Sequence, residues 1–579
     1  MADLTNREIA RIFARIADML RIKAESIHRV LAYERASETI AELPRDVRAV
    51  FEEGGLTELP GIGETLAAKI EEMLTTGHLE FYERLQSEIP AGLVDMLAIP
   101  GLGHKKVALF WKELEITSIE ALQAAAEAGK LRDLPGMGAK SETNVLEGIA
   151  ALARRSDRVP IGDAYPIAMQ MLKRLLDIEG ALQGEVAGSL RRRRATIGDI
   201  DILIASDTPE PIMQAFTTQP EVARVLGQGS TKSSVELHNG QQVDLRVLPP
   251  ERYGTLLQYF TGSKEHNVRL RELALKQGLS LNEHALTPLD GSPEILCASE
   301  GEVYQRLGLP WIAPELREDR GEIEAAQEGR LPELITLADI QGDMQLHTTW
   351  SDGKASVMEM AQAAMAQGRR YMLVTDHSFG LGITQGIKPE DVAQQRAEIA
   401  QVNAELAGAF RVLHGVELEI KADGSLDFDD EVLAQFDIVL ASMHTSLRQP
   451  REQITARVLR AIQNPYVMIL GHPRGQMIPD REPADLDMDR IFEAARTHHV
   501  ALEINANPHR LDLDDTHARR AVELGVRLTI STDAHDPAHF AFMHYGVATA
   551  RRGWVTAASV INAWPLDHVL GWVEEGRRQ

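Results

Sequence analysis

The sequence predicts a multidomain protein of α+β and α/β class: a helical N-terminal region, a central domain with a mixed sheet, and a C-terminal barrel of alternating strands and helices. Three observations predict this order along the 579 residues. A glycine-containing turn recurs three times before residue 140. Paired aspartates occupy an apolar segment near residue 200. After residue 340, short apolar runs repeatedly end in histidine, aspartate or glutamate, which is typical of βα units.

Composition narrows the functional classes. Hydrophobic residues make up 44% and charged residues 25% of the chain, which argues against a disordered, collagenous or membrane protein. No apolar stretch reaches the roughly 20 residues of a spanning helix, and no signal-peptide core precedes residue 30, so we expect a cytoplasmic protein without a membrane partner. The single cysteine, Cys297, excludes intrachain disulfides and cysteine-based zinc sites. A net charge of −25 argues against avid coating of nucleic acid.

The recurring turn is an apolar residue, proline, glycine, a second apolar residue and glycine, each time before a segment of helical periodicity. Successive backbone N–H groups at the start of a helix can hold a phosphate directly or through a bound monovalent cation. The pattern resembles the helix-hairpin-helix motif, which implies sequence-independent contact with the DNA backbone. Its glycines are Gly61, Gly63, Gly101, Gly103, Gly136 and Gly138.

Asp199 and Asp201 lie two residues apart in an apolar strand, so both side chains should lie on one face about 7 Å apart. Asp244 lies on a second alternating strand about 40 residues later. Three aspartates on two neighbouring strands can hold two Mg²⁺ or Mn²⁺ ions for in-line phosphoryl transfer. Upstream, Gly188 and Ser189 begin a turn that could cradle a triphosphate, with arginines following.

This ordered set resembles the nucleotidyltransferase signature of the DNA polymerase beta superfamily, and the segment after residue 259 resembles bacterial family X DNA polymerases. The resemblance implies that Asp199 and Asp201 bind both metals and that Asp244 holds the metal that activates the primer 3′-hydroxyl. The implied nucleotide-binding residues are Gly188, Ser189, Arg192, Tyr259, Phe260, Gly262 and Asn267. Lys264 stands where the vertebrate members would have an acidic residue.

The resemblance also covers residues 1–150. In the best-known members, a lysine nine residues after the hairpin proline forms a Schiff base with an abasic sugar, and Lys69 occupies that place. Thr65 and Glu34 or Arg35 stand where further basic residues are expected. Lys69 is therefore a candidate lyase residue, with an exposed helix lysine as the alternative.

The C-terminal runs place metal-type ligands at the ends of six predicted strands, as an active site on the upper face of a barrel requires. This region resembles the polymerase and histidinol phosphatase (PHP) domain, a distorted (β/α)7 barrel with up to three Mn²⁺, Zn²⁺ or Fe²⁺ ions. Gln345 replaces the first histidine of the expected His-x-His pair, so one metal site should be weak or empty. The implied ligands are His347, Asp352, His377, Glu417, His444, His472, Asp533 and His535.

We therefore predict six segments. They are an N-terminal DNA-binding domain (1–85), a fingers-like domain with two further hairpins (86–155), a palm (156–250), a thumb (251–315), a linker (316–338) and a PHP domain (339–579).

The predicted function is gap-filling DNA synthesis in repair by a monomer that binds gapped or nicked DNA and dNTPs, with a metal-dependent 3′–5′ exonuclease in the PHP domain. Three alternatives remain open. The chain could be a phosphoesterase for a small phosphorylated substrate with an inactive polymerase module, a nucleotidyltransferase acting on RNA or an antibiotic, or a non-catalytic DNA-end adaptor.

Overall fold

The computed structural model describes residues 4, 6–41, 43, 47–99, 102–154, 158–380 and 386–578. The chain forms two compact units, residues 1–157 and residues 158–579. Gly101, in the second predicted turn, lies outside the described residues. Within the described residues, no helix is both long enough and apolar enough to cross a membrane.

The first unit is helical, as predicted. Its α1 carries Ile9, Phe13, Ile16 and Leu20 at helical spacing, and all four are buried. They belong to one hydrophobic core whose buried residues run from position 9 to position 149. The α-helices of this unit are α1 (Asn6–Ile22), α2 (Ile27–Ala41), α3 (Val47–Glu52), α4 (Glu64–Thr76), α5 (Glu80–Glu88), α6 (Ala91–Asp95), α7 (His104–Leu114), α8 (Ile119–Glu127) and α9 (Ala139–Arg154).

The three glycine turns share one hydrogen bond. The N–H of the second apolar residue donates to the carbonyl three residues earlier: Ile62 to Leu59, Leu102 to Ile99 and Met137 to Leu134, at 3.0–3.1 Å. Each turn leads into a helix as predicted, namely α4, α7 and α9. The first turn follows a 3₁₀ turn at Leu56–Glu58, and the second follows a 3₁₀ turn at Met96–Ala98 that continues α6.

The second unit begins with the palm region. Its five-stranded sheet has the order β2, β4, β7, β6, β5. The β4–β7 pair is parallel and the other pairs are antiparallel, which confirms the predicted mixed sheet. The elements of residues 158–250 are β1 (Val159–Pro160), α10 (Ile161–Leu176), β2 (Gln183–Val186), α11 (Gly188–Arg191), β3 (Thr196–Ile197), β4 (Ile200–Ala205), α12 (Pro209–Thr217), β5 (Val222–Gln228), β6 (Lys232–Leu237) and β7 (Gln242–Leu248).

The thumb region follows and packs around its own apolar core, which includes Leu270, Val303 and Tyr304. That core also takes in Leu316, Ile323 and other residues of the segment 316–338, which we expected to be a linker. The segment does connect the thumb to the C-terminal region, but apolar residues within its charged sequence are buried. The elements here are α13 (Tyr253–Thr261), α14 (Lys264–Lys276), β8 (Leu279–Leu281), β9 (Leu286–Pro288), α15 (Glu300–Arg306) and α16 (Glu322–Gln327).

The C-terminal region is the predicted barrel. Seven parallel strands follow one another in chain order, and a parallel bridge between Leu346 and Ala534 joins the first strand end to the last. The elements are β10 (Gly342–Asp343), α17 (Val357–Ala366), β11 (Tyr371–Val374), α18 (Val392–Glu405), β12 (Arg411–Glu419), α19 (Asp430–Leu433), β13 (Ile438–Ser442), α20 (Arg451–Ile462), β14 (Val467–Leu470), α21 (Met488–Thr497), β15 (Ala501–Asn505), α22 (Asp515–Glu523), β16 (Leu528–Ser531), α23 (Met543–Arg552) and α24 (Leu566–Arg577).

Palm, thumb and barrel share a buried ionic junction. Glu318 accepts hydrogen bonds from Arg192 of the palm at 3.0 Å and from Arg552 of α23 at 2.8 Å. Arg552 also pairs with Asp515 at 2.7 Å and donates to the carbonyl of Arg192 at 2.7 Å. Burial alone would raise the pKa of Glu318, but Arg552, Arg192 and Arg194 hold it well below its usual range. Glu318, a charged residue of the connecting segment, is therefore a junction contact.

Candidate active sites

The palm aspartates meet because β4 and β7 are neighbours. In this parallel pair, Asp201 and Asp244 are directly opposite each other. Asp199 lies in the bend immediately before β4, one residue outside the strand on which we had placed it. Three carboxylates thus converge at one edge of the mixed sheet, as predicted.

This convergence has an electrostatic cost. Burial, reinforced by the charges of Asp199 and Asp244, raises the pKa of Asp201 to about 7. Lys232 pairs with Asp244 at 3.2 Å and Gln242 donates to Asp244 at 2.9 Å, so Asp244 is partly compensated. A cluster of this kind is expensive without cations, and its oxygen ligands suit Mg²⁺ or Mn²⁺. The residues therefore fit the predicted metal pair.

Gly188 and Ser189 open the short helix α11 beside this cluster. Gly188 has φ +59°, and a Cβ atom there would lie 2.7 Å from Oδ2 of Asp201. Only glycine lets the backbone come this close to the carboxylate in this conformation. The N–H of Ala187 donates to the carbonyl of Asp201 at 2.8 Å, which fixes the turn against β4.

Arg192 lies between the palm and the thumb. Its Nη1 donates to the carbonyl of Thr261 at 2.6 Å and lies beside Gly262, while its Nε pairs with Glu318. The structure thus brings Arg192 and Gly262 together, as the prediction of a shared nucleotide site requires. In this conformation the guanidinium is engaged by protein groups.

The aromatic pair lies on α13. The rings of Tyr259 and Phe260 are 5.2 Å apart, and the guanidinium of Arg246 lies 4.1 Å from the centre of the Phe260 ring. Asn267 donates to the carbonyl of Tyr259 at 2.7 Å and accepts from Gln258 at 2.8 Å. These contacts link the predicted base-pair residues to one another. Arg246 also relates Phe260 to the aspartate cluster, because it follows Asp244 by two residues on the same face of β7.

In the barrel, all eight predicted metal ligands gather at the carboxyl ends of the strands. Three groups of potential ligand atoms have members within 4.8 Å of one another: His347 with Asp352, His377 and His535; His377 with Glu417 and His444; and His347 with Glu417 and Asp533. The eighth ligand, His472, places Nε2 2.9 Å from Glu417. Glu417 is therefore the centre of the cluster.

The histidines are held in different electrostatic states. Burial lowers the pKa of His377 to about 3, which leaves a neutral imidazole suited to metal binding. Burial would also lower the pKa of His444, but Glu417 and Glu419 together raise it to about 9. Imidazole nitrogens and carboxylate oxygens buried together match the ligands of Mn²⁺, Zn²⁺ or Fe²⁺. This donor set fits the predicted cations.

Gln345 stands where the resemblance predicts a histidine ligand. It is fully buried, and neither amide atom has a hydrogen-bond partner among the described residues. A buried amide without partners is costly, so this position is suited to an added ligand or water. The prediction of a weakened metal site on this side stays open.

Sequence analysis missed several supporting residues. Glu419 accepts from Nδ1 of His444 at 2.7 Å, and Asp376 accepts from the loop residues Thr348 and Ser351 at 2.7 Å. Asp343 accepts from the backbone and hydroxyl of Thr532 at 3.1 and 2.5 Å. Such outer partners orient metal ligands. Glu419 carried a signal, since it follows Glu417 by two residues on the same strand face.

Lys69 lies in a cationic cluster of the first unit. Its Nζ is 4.5 Å from the centre of the Phe81 ring, and the guanidinium groups of Arg29 and Arg84 lie 5.1 and 5.4 Å from the same centre. Burial first, and then the charges of Arg29 and Arg84, lower the pKa of Lys69, although Glu72 opposes this. A depressed amine pKa favours the nucleophilic form that a Schiff base requires.

Comparison with known proteins agrees with this architecture. Residues 4–79 match a helix-hairpin-helix domain model, residues 93–151 a SAM-like helix-hairpin-helix tandem, and residues 256–318 the DNA polymerase beta thumb. The chain is 39% identical to the DNA polymerase/3′-5′ exonuclease PolX of Bacillus subtilis over 570 residues, which cover 98% of this chain and 99% of that one. The chain belongs to the PolX family of DNA polymerases.

Two further relatives each cover part of this chain. DNA polymerase lambda of Rattus norvegicus is 26% identical over 319 residues, half of this chain and 52% of its own. A protein named as a probable phosphatase in Caldanaerobacter subterraneus is 30% identical over 204 residues, 33% of this chain and 75% of its own. The resemblance to family X polymerases with a PHP domain is confirmed, as is the predicted fold class.

Proposed function

We propose that this chain is a repair DNA polymerase that fills short gaps, and that its PHP barrel is a metal-dependent 3′–5′ exonuclease. The enzyme class follows from membership of the PolX family. The observation that carries the polymerase proposal is the convergence of Asp199, Asp201 and Asp244 beside the Gly188 turn.

In the palm, the three aspartates hold two divalent cations. Bound cations of this kind activate a primer 3′-hydroxyl and neutralise the triphosphate. Gly188, Ser189 and Arg192 receive the triphosphate. Arg192 exchanges Glu318 for phosphate when a dNTP binds. Glu318 keeps Arg552 and Arg194 as partners, at 2.8 and 3.4 Å, so the exchange does not leave a buried carboxylate unpaired. Asp244 would hold the cation that activates the primer 3′-hydroxyl. Tyr259, Phe260, Gly262 and Asn267 line the nascent base pair.

In the barrel, the eight ligands around Glu417 would hold up to three cations, and the chemistry that such cations supply when bound is a nucleophilic hydroxide for phosphodiester hydrolysis. Burial lowers the pKa of His377, so this imidazole is neutral and can bind a cation without first losing a proton. Similarity to a probable phosphatase makes a phosphomonoester the second candidate substrate. Comparing a 3′-phosphorylated with a 3′-hydroxyl oligonucleotide separates terminal phosphate removal from nucleotide removal.

The hairpin turns contact the backbone of gapped or nicked DNA through amide groups, with a monovalent cation where one is bound. This mode of contact suits a chain of net charge −25, because it needs few basic side chains. We assign the protein to the cytoplasm, as a monomer. Within this proposal, the segments of the chain end at residues 85, 155, 250, 315 and 338.

Lys69 is assigned a lyase role on a 5′ abasic sugar, supported by its depressed amine pKa. Borohydride trapping on a 5′-labelled abasic nick tests the assignment. Wild type should form a covalent adduct that Lys69→Arg does not form, while Lys112→Arg, a change in the exposed part of α7, should still form it. If Lys69→Arg formed as much covalent adduct as wild type, Lys69 would not be the lyase residue.

One experiment tests the two main activities together. Labelled DNA with a one-nucleotide gap is incubated with dNTPs and Mn²⁺, using wild type, Asp199→Ala and His377→Ala. Asp199→Ala should abolish extension and keep 3′ degradation, and His377→Ala should do the reverse. Asp207→Ala and His568→Ala, both exposed, are the matched controls. Extension by Asp199→Ala would remove the palm assignment, and undiminished degradation by His377→Ala would remove the barrel assignment.

A further inference from the structure

Three neighbouring loops of the barrel each carry an arginine outside the predicted metal ligand set. Arg448 follows β13, Arg481 follows β14 and Arg510 follows β15. The carboxyl ends of these strands form the face that carries His444, His472 and the rest of the metal cluster.

Direct contacts join the three loops. The N–H of Ile478 donates to the carbonyl of His509 at 2.6 Å, and Gln476 donates to the carbonyls of Arg510 and Leu511 at 2.5 and 3.1 Å. On the other side, a Cβ atom at Gly475 would lie 3.1 Å from the side chain of Leu447. The loops are therefore one continuous surface.

Arg510 reaches the metal cluster. Its Nε lies 3.4 Å from Oδ2 of Asp533, and its side chain is 14% exposed. Its Nη1 is buried and has no hydrogen-bond partner among the described residues. A buried guanidinium N–H without a partner is costly, and a phosphate oxygen is the ligand that guanidinium geometry matches best.

Arg481 and Arg448 extend this positive charge outward. Arg481 donates from Nε to the carbonyl of Gly475 at 2.7 Å, and Arg448 is exposed and forms no ion pair within the described part of the chain. Burial and the nearby charges of Arg510 and Arg448 lower the pKa of Arg481, although Asp512 opposes this. Asp512 itself accepts from the backbone N–H of Arg474, and Asp514 pairs with the Arg474 side chain at 2.6 Å.

We propose that Arg510, Arg481 and Arg448 form an arginine strip that binds the phosphates of single-stranded DNA entering the barrel. Arg510 contacts the scissile phosphate, and Arg481 and Arg448 contact phosphates on its 5′ side. The inference rests on the exonuclease part of the proposed function and names the residues that hold its substrate. The strip is a local set of guanidinium groups and not a region of net positive charge, because the loop of Arg481 also carries Asp480, Glu482 and Asp485.

Kinetics test the strip. Removal of 3′ nucleotides from a labelled oligothymidylate is measured with Mn²⁺ for Arg448→Gln, Arg481→Gln and Arg510→Gln. The first two changes should raise KM severalfold with little change in kcat. Arg510→Gln should lower kcat about tenfold or more, and Arg510→Lys should restore part of it. Arg411→Gln, an exposed change at the amino end of β12, is the matched control. Wild-type kinetics in all three variants would overturn the inference.

A second measurement is independent of catalysis. Binding of a short fluorescent oligothymidylate is followed with EDTA present over a series of salt concentrations. Each lost phosphate contact should reduce the slope of log affinity against log salt by roughly 0.7. Unchanged slopes in Arg448→Gln and Arg481→Gln would overturn the strip. If wild type shows no nuclease activity, the proposed function fails on that ground, while the slopes still test the strip separately. Equal melting temperatures confirm that each variant folds.

Discussion

At the residue scale, the three palm aspartates destabilise the metal-free protein, because buried carboxylates repel one another, and this arrangement favours binding of a cation. Burial, Asp199 and Asp244 raise the pKa of Asp201 to about 7. The folded chain therefore holds this proton more tightly than the unfolded chain, so stability is lost as the pH rises from the ordinary aspartate value to about 7. Above that pH the whole cost is present until a metal binds.

This predicts a stability effect opposite to the activity effect. Asp201→Asn should abolish nucleotide addition, yet stabilise metal-free protein at pH 8 by about 1–2 kcal/mol, because it removes one of three mutually repelling carboxylates. Thermal unfolding with EDTA and with Mn²⁺ measures this. The stabilisation of wild type by Mn²⁺ should shrink in the variant. Asp207→Asn, on the exposed surface, is the control, and destabilisation by Asp201→Asn at pH 8 would contradict the prediction.

Gln345 gives the second prediction at this scale. Restoring the expected ligand by Gln345→His should raise Mn²⁺ affinity of the barrel by about tenfold or more, since even an outer partner of a metal ligand is typically worth that much. The buried amide has no partner among the described residues, so the change sacrifices no hydrogen bond there. Titration with Mn²⁺ measures the affinity of wild type and of Gln345→His, both of which keep His377. Gln401→His, an exposed change, is the control. Unchanged affinity would mean that this metal site is dispensable.

At the element scale, the register of strand pairing decides which residues that are distant in sequence lie together in a site. The parallel pairing of β4 with β7 sets Asp201 opposite Asp244, and the closed order of the barrel strands brings together ligands separated by nearly 190 residues, such as His347 and Asp533 at 3.1 Å. The hairpin turns are local elements. In the first and third turns the first glycine has positive φ, +76° at Gly61 and +72° at Gly136, which restricts both turns in the same way.

The first hairpin turn supplies a matched pair of glycines. Gly61 has φ +76° and its Cβ would lie 3.2 Å from Cβ of Arg35, whereas Gly63 is extended and a Cβ there would meet nothing within 4 Å. Gly61→Ala should therefore destabilise the first unit by about 1–2 kcal/mol, and Gly63→Ala, which replaces the N-cap glycine of α4, by roughly 0.5 kcal/mol. Denaturant unfolding of the full chain, followed in that unit, compares them. Equal costs would show that φ does not govern this turn.

At the scale of the second unit, the ionic junction around Glu318 unites palm, thumb and barrel. Arg552 is buried and compensates both Glu318 and Asp515. Buried charges that lose one partner are strongly unfavourable, whereas exposed pairs contribute little. The polymerase and nuclease regions therefore depend on one shared set of contacts.

Replacing Arg552 should affect both regions. Arg552→Met is expected to destabilise the second unit by about 2–3 kcal/mol, less than the loss of a sole partner would, because Glu318 keeps Arg192 and Arg194 and Asp515 keeps Arg320. Arg490→Met breaks an exposed pair with Glu452 and should cost less than about 1 kcal/mol. Calorimetry of both variants measures the difference. A cost for Arg552→Met no larger than that of the control would show that the junction is not a stabilising contact.

Prediction from sequence worked best where chemistry recurs in short segments. The palm aspartates were predicted from carboxylate spacing on apolar strands. The eight barrel ligands were predicted from the resemblance to the PHP domain, together with the ligand-type residues that end six apolar runs. Arg510 was not found, because it lies in a loop whose position depends on packing against the loop after β14. The segment 316–338 was interpreted as a linker because its charge is visible in sequence, whereas the partners of Glu318 are not.

The sequence by itself determined the family, the mixed fold class and the ligand types, because glycine turns, strand alternation and carboxylate spacing are local patterns. Tertiary structure alone decided which distant groups meet: Glu417 at the centre of the barrel cluster, Glu318 between Arg192 and Arg552, and three arginines on adjoining loops. The physical reason is that contact energies depend on distance in space, which the chain sets only after its strands pair and its loops pack.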